Sequence, residues 1–272
     1  MMRRFSGVAL LLLMFQVPTS LHPADPPPTA PVGAFGSEKA GESSLIGILY
    51  DLKQTQQRQP VKDEYRKMVA DFVNNEWDES ILNRFYRVSR PLYLTQLFIA
   101  YSNADTAPKA FGVEKLVEPR RWLIHYKGQI QAPETGTFRF VGGADDVLAV
   151  ARNGETVLFT THPAVRIGAS WKPSEESKVP GVFGKPLTLG DWWSVKEGEI
   201  MDLDIIVGEF PGGWFGAWLY LEKQGEIHPP GKSGRTDSLQ LPVFQVAPYQ
   251  GPEITGRNPA FRLNHRIWKA LQ

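Results

Sequence analysis

The feature that most constrains the fold is a series of short β-prone segments that begins at residue 90. The segments are apolar or alternate apolar and polar residues, and turn residues separate them. In chain order they read RPLYLTQLFIAY, RRWLIHYKGQIQA, GTFRFVGG, VLAVA, TVLFTT, DWWSV, IMDLDIIVGE and GAWLYLEK. Short strands at this spacing are typical of antiparallel sandwiches. The sequence therefore predicts a mainly β protein, with an antiparallel β-sandwich of about eight or nine strands over residues 90–230.

A short helical segment is predicted before the sandwich, in residues 45–89. Residues 45–52 form a compact apolar run that predicts a strand. Residues 61–73 carry apolar side chains at helical spacing, namely Tyr65, Met68, Val69, Phe72 and Val73. A second helix is predicted over Glu79–Tyr86, with Asp78 as its N-cap. We expect this segment to pack on a face or edge of the sandwich.

The N-terminus has the pattern of an exported protein. Arg3 and Arg4 precede an apolar run over residues 8–15, which is too short to cross a bilayer and is typical of a signal peptide. We predict a signal peptide at residues 1–24 and a secreted or periplasmic location. The alternative is an uncleaved stub at the membrane periphery. Residues 25–44 are rich in Pro, Gly, Ala and Ser and predict a flexible leader, and no other stretch predicts a transmembrane span.

Cysteine content and charge exclude several classes of function. The chain has no cysteine, which excludes disulfides, thiolate metal sites and cysteine nucleophiles. A net charge of +1 argues against broad electrostatic binding of nucleic acid. The charge is unevenly spread, because residues 231–272 carry six basic and two acidic side chains. In one alternative, a structural or assembly module, this basic C-terminal tail docks on an anionic surface polymer, an acidic protein partner or a sister subunit.

Paired carboxylates are the most informative candidates for a site. If the strands follow an up-and-down order, Asp145 and Asp146 lie at one end of the sandwich and the Asn153–Gly154 turn at the other. The same order brings the loop after residue 208 and part of the long 161–190 segment to the first end. The residues predicted to converge there are Asp145, Asp146, Glu209, Trp214, Trp171 and Asp191.

Adjacent carboxylates are hard oxygen ligands that suit Ca²⁺, and we expect Asp145 and Asp146 to be its ligands. A Ca²⁺ ion with open positions can accept two vicinal sugar hydroxyls, while tryptophan rings offer flat apolar faces to a pyranose. The alternative is that both aspartates hydrogen-bond backbone amides and fix a turn. The 161–190 segment is either a binding lid or a disordered insertion, since loops of this length tend to be functional or mobile.

The order of several short motifs resembles a known family. They are YKGQIQAP at 126–133, GTFRF at 136–140, ADDVL at 144–148, Asn153-Gly154, and GEFPGG at 208–213. Together they resemble the protective-antigen-fourteen domain family over roughly residues 90–223. The resemblance implies a β-sandwich that commonly binds carbohydrate, and in lectin members a Ca²⁺ held by the paired aspartates. Val147 stands where the family usually has glycine, and Asn153 where its hairpin usually has aspartate.

These observations lead to one favoured interpretation and two alternatives. The favoured one is a secreted, non-catalytic module that binds a glycan or cell-surface polysaccharide at the Asp145–Asp146 end, with Ca²⁺. A structural or assembly protein that binds a protein partner without sugar or metal is the first alternative. The second is a small hydrolase that uses Asp145, Asp146 and Glu209. No recognisable catalytic motif accompanies those acids, so we expect no enzymatic activity.

Overall fold

The computed structural model describes residues 33–182 and 185–271, and the predicted signal peptide lies outside them. Strands dominate the described residues, as the sequence predicts. The first eight are β1 (Leu45–Thr55), β2 (Phe85–Arg87), β3 (Leu92–Leu94), β4 (Phe98–Asn103), β5 (Trp122–Gln131), β6 (Gly136–Asp145), β7 (Val147–Arg152) and β8 (Glu155–Thr161). Then come β9 (Thr188–Leu189), β10 (Trp193–Val195), β11 (Ile200–Glu209), β12 (Trp214–Lys223), β13 (Pro230–Ser233), β14 (Thr236–Leu239), β15 (Leu241–Pro242), β16 (Phe261–Arg262) and β17 (Lys269–Leu271). The helices are α1 (Tyr65–Asn74) and α2 (Thr106–Ala110), and a 3₁₀ turn spans Glu79–Ile81.

Two antiparallel sheets form the predicted sandwich. The eight-stranded sheet has the order β2-β1-β5-β11-β7-β8, with β3 beside β1 and β17 beside β5. The five-stranded sheet has the order β10-β6-β12-β4, with β9 beside β6. Two small sheets, β13-β14 and the parallel pair β15-β16, belong to the C-terminal region.

Side-chain alternation along the strands separates three apolar layers. On β5, Trp122 and Ile124 point into the core between the sheets, whereas Leu123 points to the outer face. On β12, Leu219 points into the core and Tyr220 to the opposite outer face. Because successive side chains of a strand point to opposite faces, strands that are apolar throughout require cover on both sides. The sandwich must therefore carry an additional layer outside each sheet.

Helix α1 covers the outer face of the eight-stranded sheet. The five side chains that the sequence places at helical spacing are all buried there, which confirms the amphipathic helix that their spacing predicts. The second predicted helix is wrong beyond its first turn. Asp78 does cap that turn, accepting a hydrogen bond from the Ser80 amide, but Phe85–Arg87 pairs with β1 as strand β2. Pairing with β1 satisfies the backbone groups there as well as a helix would, so sheet formation outweighs the helical spacing.

The boundary expected at residue 90 does not separate two units. Strand β1 pairs with β5 over six consecutive residue pairs, so the sandwich includes β1 itself. Part of the predicted flexible leader is also ordered against the sandwich, because Phe35 is buried and Ser37 pairs with Tyr93. Residues 25–32 of the leader lie outside the described residues.

The C-terminal region is a structural part of the sandwich. Leu241 and Val243 cover the outer face of the five-stranded sheet, Trp268 is buried in the inter-sheet core, and β17 extends the other sheet. Two of its basic residues form ion pairs with an acid outside the tail. Arg262 and Arg266 both contact Glu226, which follows β12. These arginines therefore attach the tail to the sandwich.

Glu226 supplies a pH-dependent part of this attachment. Burial alone would raise the pKa of its carboxyl group, but hydrogen bonds and charges from Arg266, His265 and Arg262 outweigh burial and lower the pKa to about 2. A carboxyl group whose pKa falls on folding stabilises the native state above its unfolded pKa. That stabilisation is lost as pH falls from about 4.5 to about 2.

We therefore expect Glu226→Gln to lower the free energy of unfolding at neutral pH and to lower it less in acid. Urea unfolding of both proteins between about pH 6 and about pH 3 measures the difference. The exposed Glu253→Gln serves as the matched control. A difference between Glu226→Gln and the parent protein that stays constant across this range would contradict the assignment.

Within the described residues, no helix combines the length and the apolar composition that a membrane crossing demands.

Candidate functional site

Two crossings between the sheets meet at one end of the sandwich. The chain leaves β6 of the five-stranded sheet at Asp145 and enters β7 of the eight-stranded sheet at Val147. It crosses back through residues 210–213, from β11 to β12. The crossings are neighbours because Val147 pairs with Gly208 and Asp145 with Gly216. This arrangement corrects the predicted up-and-down order, in which β6 and β7 would pair, but it keeps Asp145, Asp146 and Glu209 at the same end.

Asp146 is fixed on all sides. Its amide donates to the Gly208 carbonyl, its carbonyl accepts from the His162 amide at 2.7 Å, and its Oδ2 accepts from the Phe210 amide at 2.7 Å. The side chain is nearly inaccessible, whereas that of Asp145 is half-buried. The peptide bond between Asp145 and Asp146 is cis. Asp146 therefore both fixes the loop after β11, as the turn-forming alternative proposes, and keeps its second carboxylate oxygen for other contacts.

Glu209 is a fully buried third carboxyl group beside Asp146. Its Oε1 accepts a hydrogen bond from the Gly212 amide at 2.7 Å, and its side chain also hydrogen-bonds Asp146. Gly212 and Gly213 both have positive φ, near 110°, so the Gly-Gly pair lets the loop turn tightly over this acid. The two buried carboxyl groups are therefore held side by side under the loop.

The electrostatics of the three acids favour a cation. Burial, and secondarily the charge of Asp145, raises the pKa of Asp146 well above its ordinary value. Burial and the charge of Asp146 raise the pKa of Glu209 in the same direction. Carboxyl groups in such a position repel one another when ionised, and a bound cation removes that repulsion.

His162 completes a cluster with metal-ligand geometry. One ligand atom each from Asp145, Asp146 and His162 lie within 4.8 Å of one another. The imidazole Nδ1 accepts a 3.2 Å hydrogen bond from the Ala164 amide. In a neutral imidazole this leaves the proton on Nε2. The ligands that Ca²⁺ prefers are therefore the two aspartate carboxylates.

An aromatic pair borders the acids. The Trp214 ring stacks on Tyr101 of β4, with 5.0 Å between ring centroids and planes 9° apart, and 40% of Trp214 is exposed. The Tyr101 hydroxyl hydrogen-bonds Asp145, and its pKa is raised by burial and by the Asp145 charge. The exposed ring is therefore connected to the half-buried acid through one side chain.

The three acids, His162 and Trp214 line an open cleft of about 440 Å³. Its other lining residues include Arg66 from α1 and Phe210, whose ring lies 4.8 Å from the Arg66 guanidinium carbon. Lys185 lies near the acids and donates to the Thr161 carbonyl. A cleft of this size with convergent polar groups is typical of a small-ligand site.

Four of the six predicted site residues come together here, namely Asp145, Asp146, Glu209 and Trp214. The placement of Trp171 and Asp191 at this end is wrong. The 161–190 segment leaves the cleft, because Ala169 is buried against the outer face beside α1 and Asn74 binds Ser170. Trp171 consequently lies at the opposite end, where its Nε1 donates to Asp191 at 2.6 Å.

Tyr101, His162 and Lys185 are absent from the sequence-based site. His162 could have been found from the β7–β8 hairpin. The turn residues Asn153 and Gly154 have positive φ, as two-residue hairpin turns need. Counting residues outward from this turn places the end of β8, which His162 follows, opposite the start of β7 beside Asp146. Tyr101 carries no such signal, because β4 reaches the site through long-range pairing with β12.

The chain matches no protein-family model and no curated protein. Its similarity to known proteins is therefore a similarity to solved structures. One similar solved structure is the PA14 sugar-binding domain from an RTX adhesin, with a TM-score of 0.34 and 12% identity, covering 70% of this chain and 94% of that one. Another is the PA14 domain of the MpAFP antifreeze protein, with a TM-score of 0.39 and 14% identity, covering 74% and 90%. PA14 domains thus recur among the similar structures.

A third similar structure is the Epithelial Adhesin 6 A domain from Candida glabrata, solved in complex with Galb1-3GlcNAc. It has a TM-score of 0.39 and 14% identity, and the match covers 79% of this chain and 91% of that chain. PA14 abbreviates protective-antigen-fourteen, the family that the motifs between residues 126 and 213 resemble.

Proposed function

We propose that this protein is a secreted, non-catalytic carbohydrate-binding module that holds Ca²⁺ at Asp145 and Asp146. The observation that carries the proposal is the convergence, in one open cleft, of Asp145, Asp146 and the exposed ring of Trp214. A sugar needs two kinds of contact, oxygen coordination for its hydroxyls and a flat apolar surface for its C–H face. This cleft offers both, because Tyr101 contacts Asp145 with its hydroxyl group and the Trp214 ring with its own ring.

The residues fit Ca²⁺ in type. Ca²⁺ takes six to eight oxygen ligands, of which the chain supplies the carboxylate oxygens of Asp145 and Asp146, and water and two sugar hydroxyls fill open positions. When bound, the ion supplies positive charge that orients the hydroxyls. The chain's own residues orient the ligand acids: the Phe210 amide holds Asp146, and Tyr101 holds Asp145. Glu209, buried beside Asp146, is held in place by the Gly212 amide.

The arrangement of the acids argues against a glycosidase. Such enzymes place two carboxyl groups about 5–9.5 Å apart on either side of the scissile bond. Here the ligand atoms of Asp145 and Asp146 lie within 4.8 Å of each other on one side of the cleft, and Glu209 is fully buried. A binding role follows, with a glycan or cell-surface polysaccharide as the partner.

A glycan array probed with and without Ca²⁺ tests the proposal. We expect binding to at least one class of glycan in Ca²⁺ and its loss in excess EGTA, because the coordinating ion is removed. Ca²⁺ at about 100 times its Kd should also stabilise the protein by about 2.7 kcal/mol, seen as a rise in melting temperature. Mg²⁺ is the control ion, since it demands a stricter geometry and gives up its water reluctantly.

Trp214→Ala separates the two kinds of contact. We expect this variant to keep the Ca²⁺-dependent rise in melting temperature while its glycan affinity falls about tenfold or more, which corresponds to about 1.4 kcal/mol. Trp192→Ala, which also removes a partly exposed tryptophan, is the matched control. No glycan binding and no Ca²⁺-dependent melting shift together would overturn the proposal.

A further inference from the structure

We propose a second, metal-independent binding site for neutral oligosaccharides at the opposite end of the sandwich, in a cleft that contains Trp171. This Trp171 cleft has a volume of about 670 Å³, within the range of small-ligand sites. It is an open cleft bordered by the C-terminal end of α1, the β7–β8 turn at Asn153–Gly154, and Ser170 with Trp171 from the long loop. It shares no residue with the cleft at Asp145.

Hydrogen bonds fix the walls of the Trp171 cleft. Asn74 Oδ1 accepts from the Ser170 amide at 2.8 Å and from its hydroxyl at 2.9 Å, and Asn74 Nδ2 donates to the Gly168 carbonyl. These contacts join the long loop to the end of α1. Opposite them, Asn153 Oδ1 accepts from the Asp202 amide, which fixes the hairpin turn. A preformed cleft avoids the ordering cost that a mobile loop would impose on binding.

Trp171 is held as a rigid platform. Its Nε1 donates to Asp191 at 2.6 Å, and its partly buried ring packs against both the inter-sheet core and the layer under α1. The Asp191 amide is itself bonded to the Val157 carbonyl of β8, so this partner does not move freely. With its polar atom satisfied by Asp191, Trp171 contributes apolar ring surface to the lining of the cleft. Such a surface suits the C–H face of a pyranose.

The charges around the Trp171 cleft select the class of sugar. Its charged lining residues are the exposed acids Glu76 and Glu155, and none of the described residues that line it is basic. An anionic polysaccharide would therefore be repelled, whereas a neutral sugar can donate hydroxyl hydrogen bonds to carboxylate and amide oxygens. The polar groups of Asn153 and Ser170 add neutral partners at the rim.

The two clefts lie far enough apart to act independently. Strand β7 runs from the Asp145 end to the Asn153 end, and its length places the clefts roughly 20 Å apart. Removing Ca²⁺ from the first cleft should leave the second unchanged. The second site consequently does not depend on the function proposed above, and either can fail alone.

Fluorine NMR of the full chain labelled with 5-fluorotryptophan tests this inference. The probes are the neutral hexasaccharides maltohexaose, cellohexaose and chitohexaose, each titrated in excess EDTA. We expect the Trp171 resonance, assigned from its loss in Trp171→Phe, to shift in a saturable manner with at least one of them. The Trp214 resonance should not shift in EDTA. Titrations that leave the Trp171 resonance unmoved with all three probes would overturn the inference.

Variants give a second readout on the responding hexasaccharide. Trp171→Ala should weaken its binding in EDTA about tenfold, which corresponds to about 1.4 kcal/mol, and Trp214→Ala should leave it unchanged. Equal loss in both variants would place the binding elsewhere. Because Trp171 also packs against the core, the fluorine titration of the parent protein decides the matter if Trp171→Ala fails to fold.

Discussion

Asp145→Asn is expected to weaken Ca²⁺ binding about 100-fold, or about 2.7 kcal/mol, and to abolish Ca²⁺-dependent glycan binding. The substitution keeps the shape of the side chain and its capacity to accept the Tyr101 hydrogen bond, but it removes one full charge and one hard ligand. It also relieves the Asp145 charge repulsion that, after burial, raises the pKa of Asp146. The metal-free variant should therefore be at least as stable as the parent protein.

Weaker Ca²⁺ binding together with unchanged or higher stability of the metal-free protein distinguishes a metal ligand from a turn residue. Isothermal titration with Ca²⁺ measures the first effect, and chemical unfolding in EGTA measures the second. Asp237→Asn, which also removes one negative charge but from a 90% exposed side chain, is the matched control. If Asp145→Asn instead destabilises the metal-free protein and leaves Ca²⁺ affinity unchanged, the aspartate only fixes the crossing.

The sequence predicts the three acids of the cleft at Asp145 correctly because turn positions along the chain determine where the strands end. The Asn153–Gly154 turn sets the β7–β8 register, and the Lys196–Glu199 turn precedes β11, so the ends of these strands follow by counting. Asp145, Asp146 and Glu209 are all at strand ends. The wrong strand order does not change the predicted position of these acids, since both crossings occur at the same end of the sandwich.

Trp171 and Asp191 were placed wrongly because no short-range pattern governs the 161–190 segment. Its path depends on where Ala169 is buried and on a hydrogen bond between Asn74 and Ser170, which lie almost a hundred residues apart in sequence. Such contacts follow from the packed structure alone. The same segment was expected to be a lid or a disordered insertion, yet it forms a wall of the Trp171 cleft.

The basic tail shows that a charge count does not say what basic side chains contact. Two of its six basic side chains, Arg262 and Arg266, contact Glu226 of the same chain. The tail also brings Trp268 into the inter-sheet core, which the sequence interpretation did not anticipate. Its apolar residues therefore explain its position better than its charge does.

Trp268→Ala is accordingly expected to lower the free energy of unfolding by about 3–5 kcal/mol, the cost of deleting a large buried side chain. Trp268 is fully buried and packs edge-on against Phe138 and Trp193, and it directly precedes β17, which pairs with β5. Urea unfolding measures the change. Trp214→Ala is the matched control, since its exposed ring should cost only about 1 kcal/mol. A loss below about 1 kcal/mol for Trp268→Ala would mean that the tail is an appendage, and the independent docking tail predicted from charge would again be the better description.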